Sequence, residues 1–85
     1  MSNRTEEISV IGIAACHEAL RARQLHPPFN SVHEGYAVLL EEMDELWEEI
    51  KKRKAVRNYD KIHREALQVA AMAMCLINEC PGRLP

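Results

Sequence analysis

Residues 41–49 read EEMDELWEE and hold six of the thirteen acidic residues of the chain. Carboxylates at this density on a helix repel one another unless something positive sits among them. Residues three, four and seven apart share a helix face. Glu42, Glu45 and Glu49 therefore line one edge, and Glu41, Glu45 and Glu48 an overlapping one. Glu45 belongs to both, whereas Asp44 is turned about 100° away from it. Twenty positions after Glu45, Glu65 stands beside an apolar stretch with Gln68 three residues on. Antiparallel packing of the two segments would set Glu65 and Gln68 opposite Glu42 and Glu45. Three carboxylates and an amide oxygen on rigid helices suit Mg²⁺, which takes about six oxygens and usually keeps waters and phosphates among them.

A basic block follows the acids: Lys51, Lys52, Arg53, Lys54 and Arg57. Such cations can meet phosphate oxygens. They equally suit a helix C-terminus, whose dipole they complement. The acidic run also reads as a solvated face, with Glu48–Lys52 and Glu49–Arg53 pairs at i, i+4. Gln68 lies among apolar residues and must be hydrogen-bonded, so an amide bridging helices is the alternative to a ligand. His17, His26, His33 and His63 have no zinc-ligand spacing. Cys16, Cys75 and Cys80 read as small apolar groups. Trp47, the single tryptophan, adjoins the acids and suits either interface packing or the flank of a bound base.

Three helices must position these groups. Ile8, Ile11, Ala15, Ala19 and Ala22 recur at helical spacing and predict an amphipathic helix over about 5–25, ended by His26-Pro27-Pro28. Asn30 or Ser31, with Glu34, provides an N-terminal cap and capping box. The second helix is expected over about 32–56, with Tyr36, Leu39, Leu40, Met43, Leu46, Trp47 and Ile50 as its stripe. Asn58 or Asp60 caps a third, over about 60–79, which Pro81-Gly82 terminates. Eleven of the twelve residues from Ala66 to Ile77 are apolar, so this helix needs neighbours all round. The expected fold is all-α, a bundle of about three helices completed as a four-helix-type core by a homodimer or homotetramer.

At 85 residues the chain is one domain, 1–85, with a short N-terminus (about 1–4) and tail (about 81–85) expected to be flexible. Three cysteines without paired spacing fit a reducing compartment. No run approaches 18 apolar residues and no signal peptide is evident, so a soluble, cytoplasmic protein with no membrane partner is expected. A net charge of −2 gives no general attraction to nucleic acid.

The order E-E-x-x-E on one helix and E-x-x-D on the next resembles the MazG-like, all-α nucleoside triphosphate pyrophosphohydrolases. Here the halves are Glu41-Glu42-Met43-Asp44-Glu45 and Glu65-Ala66-Leu67-Gln68, with 19 residues between Glu45 and Glu65. The wider runs HEGYAVLLEEMDELWEEI and REALQVAAMAMCLI look like a small phage and mobile-element branch. The resemblance covers about residues 30–80. It implies Mg²⁺-dependent hydrolysis of a (deoxy)nucleoside triphosphate to monophosphate and pyrophosphate, with Mn²⁺ as a substitute ion. Carried over, Glu42, Glu45 and Glu65 would be metal ligands, and Glu41 a neighbouring ligand or the base that orients water. Lys51, Lys54 and Arg57 would meet the phosphates. Gln68 departs from the pattern: it stands where the family has Asp, offering one oxygen but no charge. The alternative is a helical oligomer that binds nucleotide or a protein partner without turnover.

Overall fold

The computed structural model describes residues 3–80. Three α-helices make up the fold: α1, Arg4–Leu25; α2, Val32–Ile50; and α3, Tyr59–Glu79. No strand occurs among the described residues. The expected Pro81-Gly82 terminator and the C-terminal tail lie outside them.

Each helix begins on a residue that relieves its orphan amide donors. Asn3 accepts from the amides of Thr5 and Glu6. Ser31 Oγ accepts from Glu34 N at 3.0 Å, while the Glu34 carboxylate accepts from the backbone and side chain of Asn30. The capping box is thus closed one residue further back than its usual form. Asn58, rather than Asp60, caps α3 by accepting from Lys61 N.

The α2 boundary differs from the expected 56. The helix stops at Ile50, and residues Lys54–Val56 form a single 3₁₀ turn. Continuing α2 would have stacked Lys51, Lys54 and Arg57 at helical spacing, where like charges repel. Instead, Arg57 Nε folds back and donates to the carbonyls of Ile50 and Lys52, both at 2.9 Å. A side chain thereby satisfies acceptors that the helix end leaves free.

Helix α3 is the element against which both others pack. With α2 it runs antiparallel: Gly35 faces Leu76 near one end, and Glu49 pairs with Lys61 near the other. With α1 it runs parallel: Cys75–Ala19 and Arg23–Glu79 each join residues 56 apart. Small side chains make the α1–α3 approach close, with Ala15, Ala71 and Cys75 buried on the seam and Ala19 and Ala22 beside it. At Gly35 an added Cβ would lie 2.5 Å from Leu76 Cδ1 and 3.1 Å from the Phe29 ring, so a side chain there would require Leu76 and Phe29 to shift.

The connection between α1 and α2 is pinned to the end of α3. Arg23 holds the Glu79 carboxylate through two nitrogens, and its guanidinium lies 4.6 Å from the centroid of the Phe29 ring. Phe29 N donates to the same carboxylate at 3.0 Å. The Arg23 bond holds the Glu79 pKa below the usual carboxylate range.

The core is small. Ala15, Ala71, Met72 and Cys75 are its buried apolar residues. The stripe expected on α2 is divided: Leu39, Leu46 and Ile50 are half-buried, whereas Tyr36, Leu40, Met43 and Trp47 are exposed. The α1 stripe is divided too, with Ala15 buried but Ile8 and Ile11 exposed. The radius of gyration is 14.5 Å, against about 12 Å for a compact domain of this length. No helix among the described residues is long and apolar enough to cross a membrane.

Candidate metal centre

Antiparallel packing of α2 and α3 brings Glu42, Glu45 and Glu65 together, each offering an oxygen within 4.8 Å of the others. Glu42 and Glu45 share a face at i, i+3, and Glu65 approaches from one turn and a half inside α3. Glu42 and Glu65 are half-buried and Glu45 is exposed, which leaves one side of the trio open. Among the described residues no lysine or arginine forms an ion pair with any of the three.

The electrostatic consequence falls on Glu42. Burial pushes its pKa above the usual carboxylate value, and the charges of Glu45 and Glu65 push it the same way. A hydrogen bond with Glu45 and the charge of Glu41 add to this. Like charges gathered in a half-buried place disfavour full ionisation. A cation placed between them would reverse that preference.

The oxygens fit a hard divalent cation. At a metal–oxygen distance near 2.1 Å, adjacent corners of an octahedron are about 3.0 Å apart and opposite corners about 4.2 Å. A trio within 4.8 Å would have to draw together onto such an ion. Three carboxylates supply oxygen alone, the donor set that suits Mg²⁺ or Mn²⁺ rather than zinc. Among the described residues no histidine or cysteine joins a group of this kind.

The other residues read from the sequence fall in three places. Glu41 and Gln68 line, with Glu42, a cavity of about 480 Å³ that extends to α1 and to Phe29. Within it Gln68 Nε2 donates to Glu18 Oε2 at 2.6 Å, so the amide does bridge helices. Lys51, Lys54 and Arg57 lie past the end of α2. Helical rise puts Lys51 about 9 Å beyond Glu45. Lys51 pairs with Glu48 at 2.8 Å, and Arg57 holds backbone carbonyls. The i, i+4 pairs expected of Glu48 and Glu49 form at i, i+3 instead, as Glu48–Lys51 and Glu49–Lys52, because α2 ends at Ile50.

Glu18 was not singled out from the sequence. It lies beside the Ala15/Ala22 stripe of α1 and pairs with Arg21 at 3.2 Å. Its position three residues from Ala15 signals a place next to the α3 contact. Nothing in its spacing signals the reach to Gln68.

Comparison with protein-family models, with curated proteins and with solved structures finds no match to this chain.

Proposed function

We propose that the chain is a Mg²⁺-dependent, MazG-like nucleoside triphosphate pyrophosphohydrolase, releasing monophosphate and pyrophosphate from a (deoxy)nucleoside triphosphate. The observation that carries this reading is the trio itself. Glu42, Glu45 and Glu65 come from two helices, converge to within 4.8 Å and have no cationic partner among the described residues. The order and spacing of the acids, which resemble that family, support the same reading.

In this reading Glu42, Glu45 and Glu65 hold the ion, and the neutral oxygen of Gln68 stands in the fourth place. When bound, Mg²⁺ neutralises charge on the phosphates and aligns them for in-line attack. Glu41, one residue from Glu42 and open to the cavity, orients the attacking water and accepts its proton. The water oxygen bonds to the α-phosphorus, the bond from that phosphorus to the bridging oxygen breaks, and pyrophosphate leaves with the electron pair. Lys51, Lys54 and Arg57 lie beyond the acids. Lys51 and Arg57 meet the outer phosphates only if their present partners, Glu48 and the carbonyls of Ile50 and Lys52, release them.

The same reading includes a homodimer or homotetramer in the cytoplasm. Its support is the imbalance between four buried apolar residues and the exposed Tyr36, Leu40, Met43, Trp47, Ile13 and Ile77. Exposed apolar faces on this scale mark association surfaces. One observation favours a second reading, nucleotide binding without turnover: the amide at Gln68 removes a negative charge from the site and is already bonded to Glu18.

Pyrophosphate release from a panel of deoxynucleoside triphosphates with Mg²⁺ tests the proposal. Wild type should release it, and Glu45→Ala should not, while sedimentation shows the same oligomer. Absence of release from every triphosphate would refute the enzyme reading.

A further inference from the structure

The acids of the candidate site come from α2 and α3, yet a short polar contact in the adjoining cavity comes from α1. Gln68 Nε2 donates to Glu18 Oε2 at 2.6 Å, and Arg21 holds the two Glu18 oxygens at 3.4 and 3.2 Å. Glu18, Gln68, Glu41 and Glu42 line one cavity.

The chemistry of this contact has a direction. An ionised carboxylate only accepts hydrogen bonds, whereas a glutamine amide carries two donors on one side and an acceptor on the other. Glu18 can therefore hold Gln68 by the nitrogen alone. Arg21 keeps that role steady, donating to both oxygens of the same carboxylate from its own turn of α1. With Nε2 committed to α1, Oε1 is left to the rest of the cavity, one turn along α3 from Glu65. Without Glu18 the amide could rotate and present its N–H groups to the acids, where it would hydrogen-bond Glu42 and compete with a cation.

We propose that Glu18 is a positioning residue for the metal centre: it fixes the Gln68 amide so that Oε1, not Nε2, faces the acids of α2 and α3. This rests on the metal reading of Glu42, Glu45 and Glu65. It also explains how a site with an amide in place of a carboxylate retains an oxygen donor there. Partners of this kind, one bond removed from an ion, change metal affinity by about 10–100-fold when removed.

The test is Mn²⁺ titration of the full chain, followed by calorimetry and by the loss of the free-ion electron paramagnetic resonance signal. Glu18→Ala should weaken Mn²⁺ binding about 10-fold. Alanine keeps α1 helical, and far-UV circular dichroism checks this. Gln68→Ala should weaken binding to a similar degree, and the Glu18→Ala/Gln68→Ala double variant should be no weaker than Gln68→Ala alone. Gln68→Asp placed in the Glu18→Ala background should restore affinity, because a carboxylate presents an oxygen whichever way it turns. Unchanged affinity in Glu18→Ala, additive losses in the double variant, or no rescue by Gln68→Asp would each overturn the positioning role. Failure of the underlying reading looks different: Mn²⁺ binding would then be indifferent to Glu45→Ala as well.

Discussion

Two carboxylate groups lie along the same α2–α3 seam, scarcely two turns apart, and are treated in opposite ways. Glu49 is 6 % exposed and held between Lys52 at 2.9 Å and Lys61 at 3.3 Å. Those two partners, Lys52 foremost, pull its pKa below the usual value. Glu42, Glu45 and Glu65 converge without any cation among the described residues, and burial pushes the Glu42 pKa up. One group is closed within the chain: its charge is balanced and its role is to join helices. The other carries an unbalanced charge that costs the metal-free fold stability. The fold thus neutralises one acid of α2 and leaves two others, Glu42 and Glu45, facing Glu65 of α3 with no countercharge among the described residues.

The strongest way to break this contrast is to remove one acid from each group. Glu45→Ala should abolish Mn²⁺ binding, a loss of more than about 100-fold, and leave the melting temperature of the metal-free protein unchanged or raised. Glu49→Ala should do the reverse. It strands Lys52 and Lys61, lowers the melting temperature by several degrees and keeps Mn²⁺ affinity within about twofold, since it lies outside the trio. Equal metal losses in both variants, read by the same titration, would erase the distinction.

A second structural carboxylate serves as a further control. Glu79→Ala would leave the Arg23 guanidinium and the Phe29 amide without their acceptor and should destabilise by about 2 kcal/mol. Chemical denaturation measures this, with no direct effect expected on metal binding. Because the folded pKa of Glu79 is lowered, its contribution is complete above the unfolded glutamate value near 4.3 and is lost as pH falls through the folded value.

The subtlest prediction concerns Glu42, and its sign is opposite. Its folded pKa is raised, so between the unfolded value and the folded one the native state binds more protons and stability falls as pH rises. Glu42→Gln should therefore raise the melting temperature of the metal-free protein at pH 7. At about 0.5 kcal/mol for each like-charged neighbour relieved, the rise is about 4 °C. The advantage should shrink as pH falls toward 4.3. It should vanish at pH 7 when saturating Mg²⁺ is added, because the ion then supplies the missing countercharge. A Glu42→Gln variant less stable than wild type without metal would show that the trio is balanced in some other way.

Much of the fold was legible in local chemistry. The caps Ser31 and Asn58 and the proline pair after α1 are short-range signals, and each corresponds to a helix boundary in the structure; the Asn3 cap of α1 was not read from the sequence. The end of α2 was not legible. It depends on Arg57 returning to carbonyls seven and five residues behind it, a choice between continuing a helix and capping it that periodicity does not record. The pairing of Glu49 with Lys61 was equally hidden, because it needs the register of two helices.

For the candidate site, helix geometry grouped Glu42, Glu45 and Glu49 on one edge and Glu41, Glu45 and Glu48 on another, and the resemblance in order and spacing narrowed these to Glu41, Glu42 and Glu45 with Glu65. Residue spacing within one helix is fixed by its 3.6-residue turn, so the sequence determined which carboxylates share a face and that Asp44 does not. Only the tertiary structure decided that Glu65 meets that face, that Glu49 is neutralised while Glu42 is not, and that Gln68 is held by Glu18 from α1. Those outcomes depend on which helix packs against which and in what direction. Such packing is set by apolar and small residues, Ala15, Ala71, Cys75 and Gly35 among them, rather than by the charged groups it brings together.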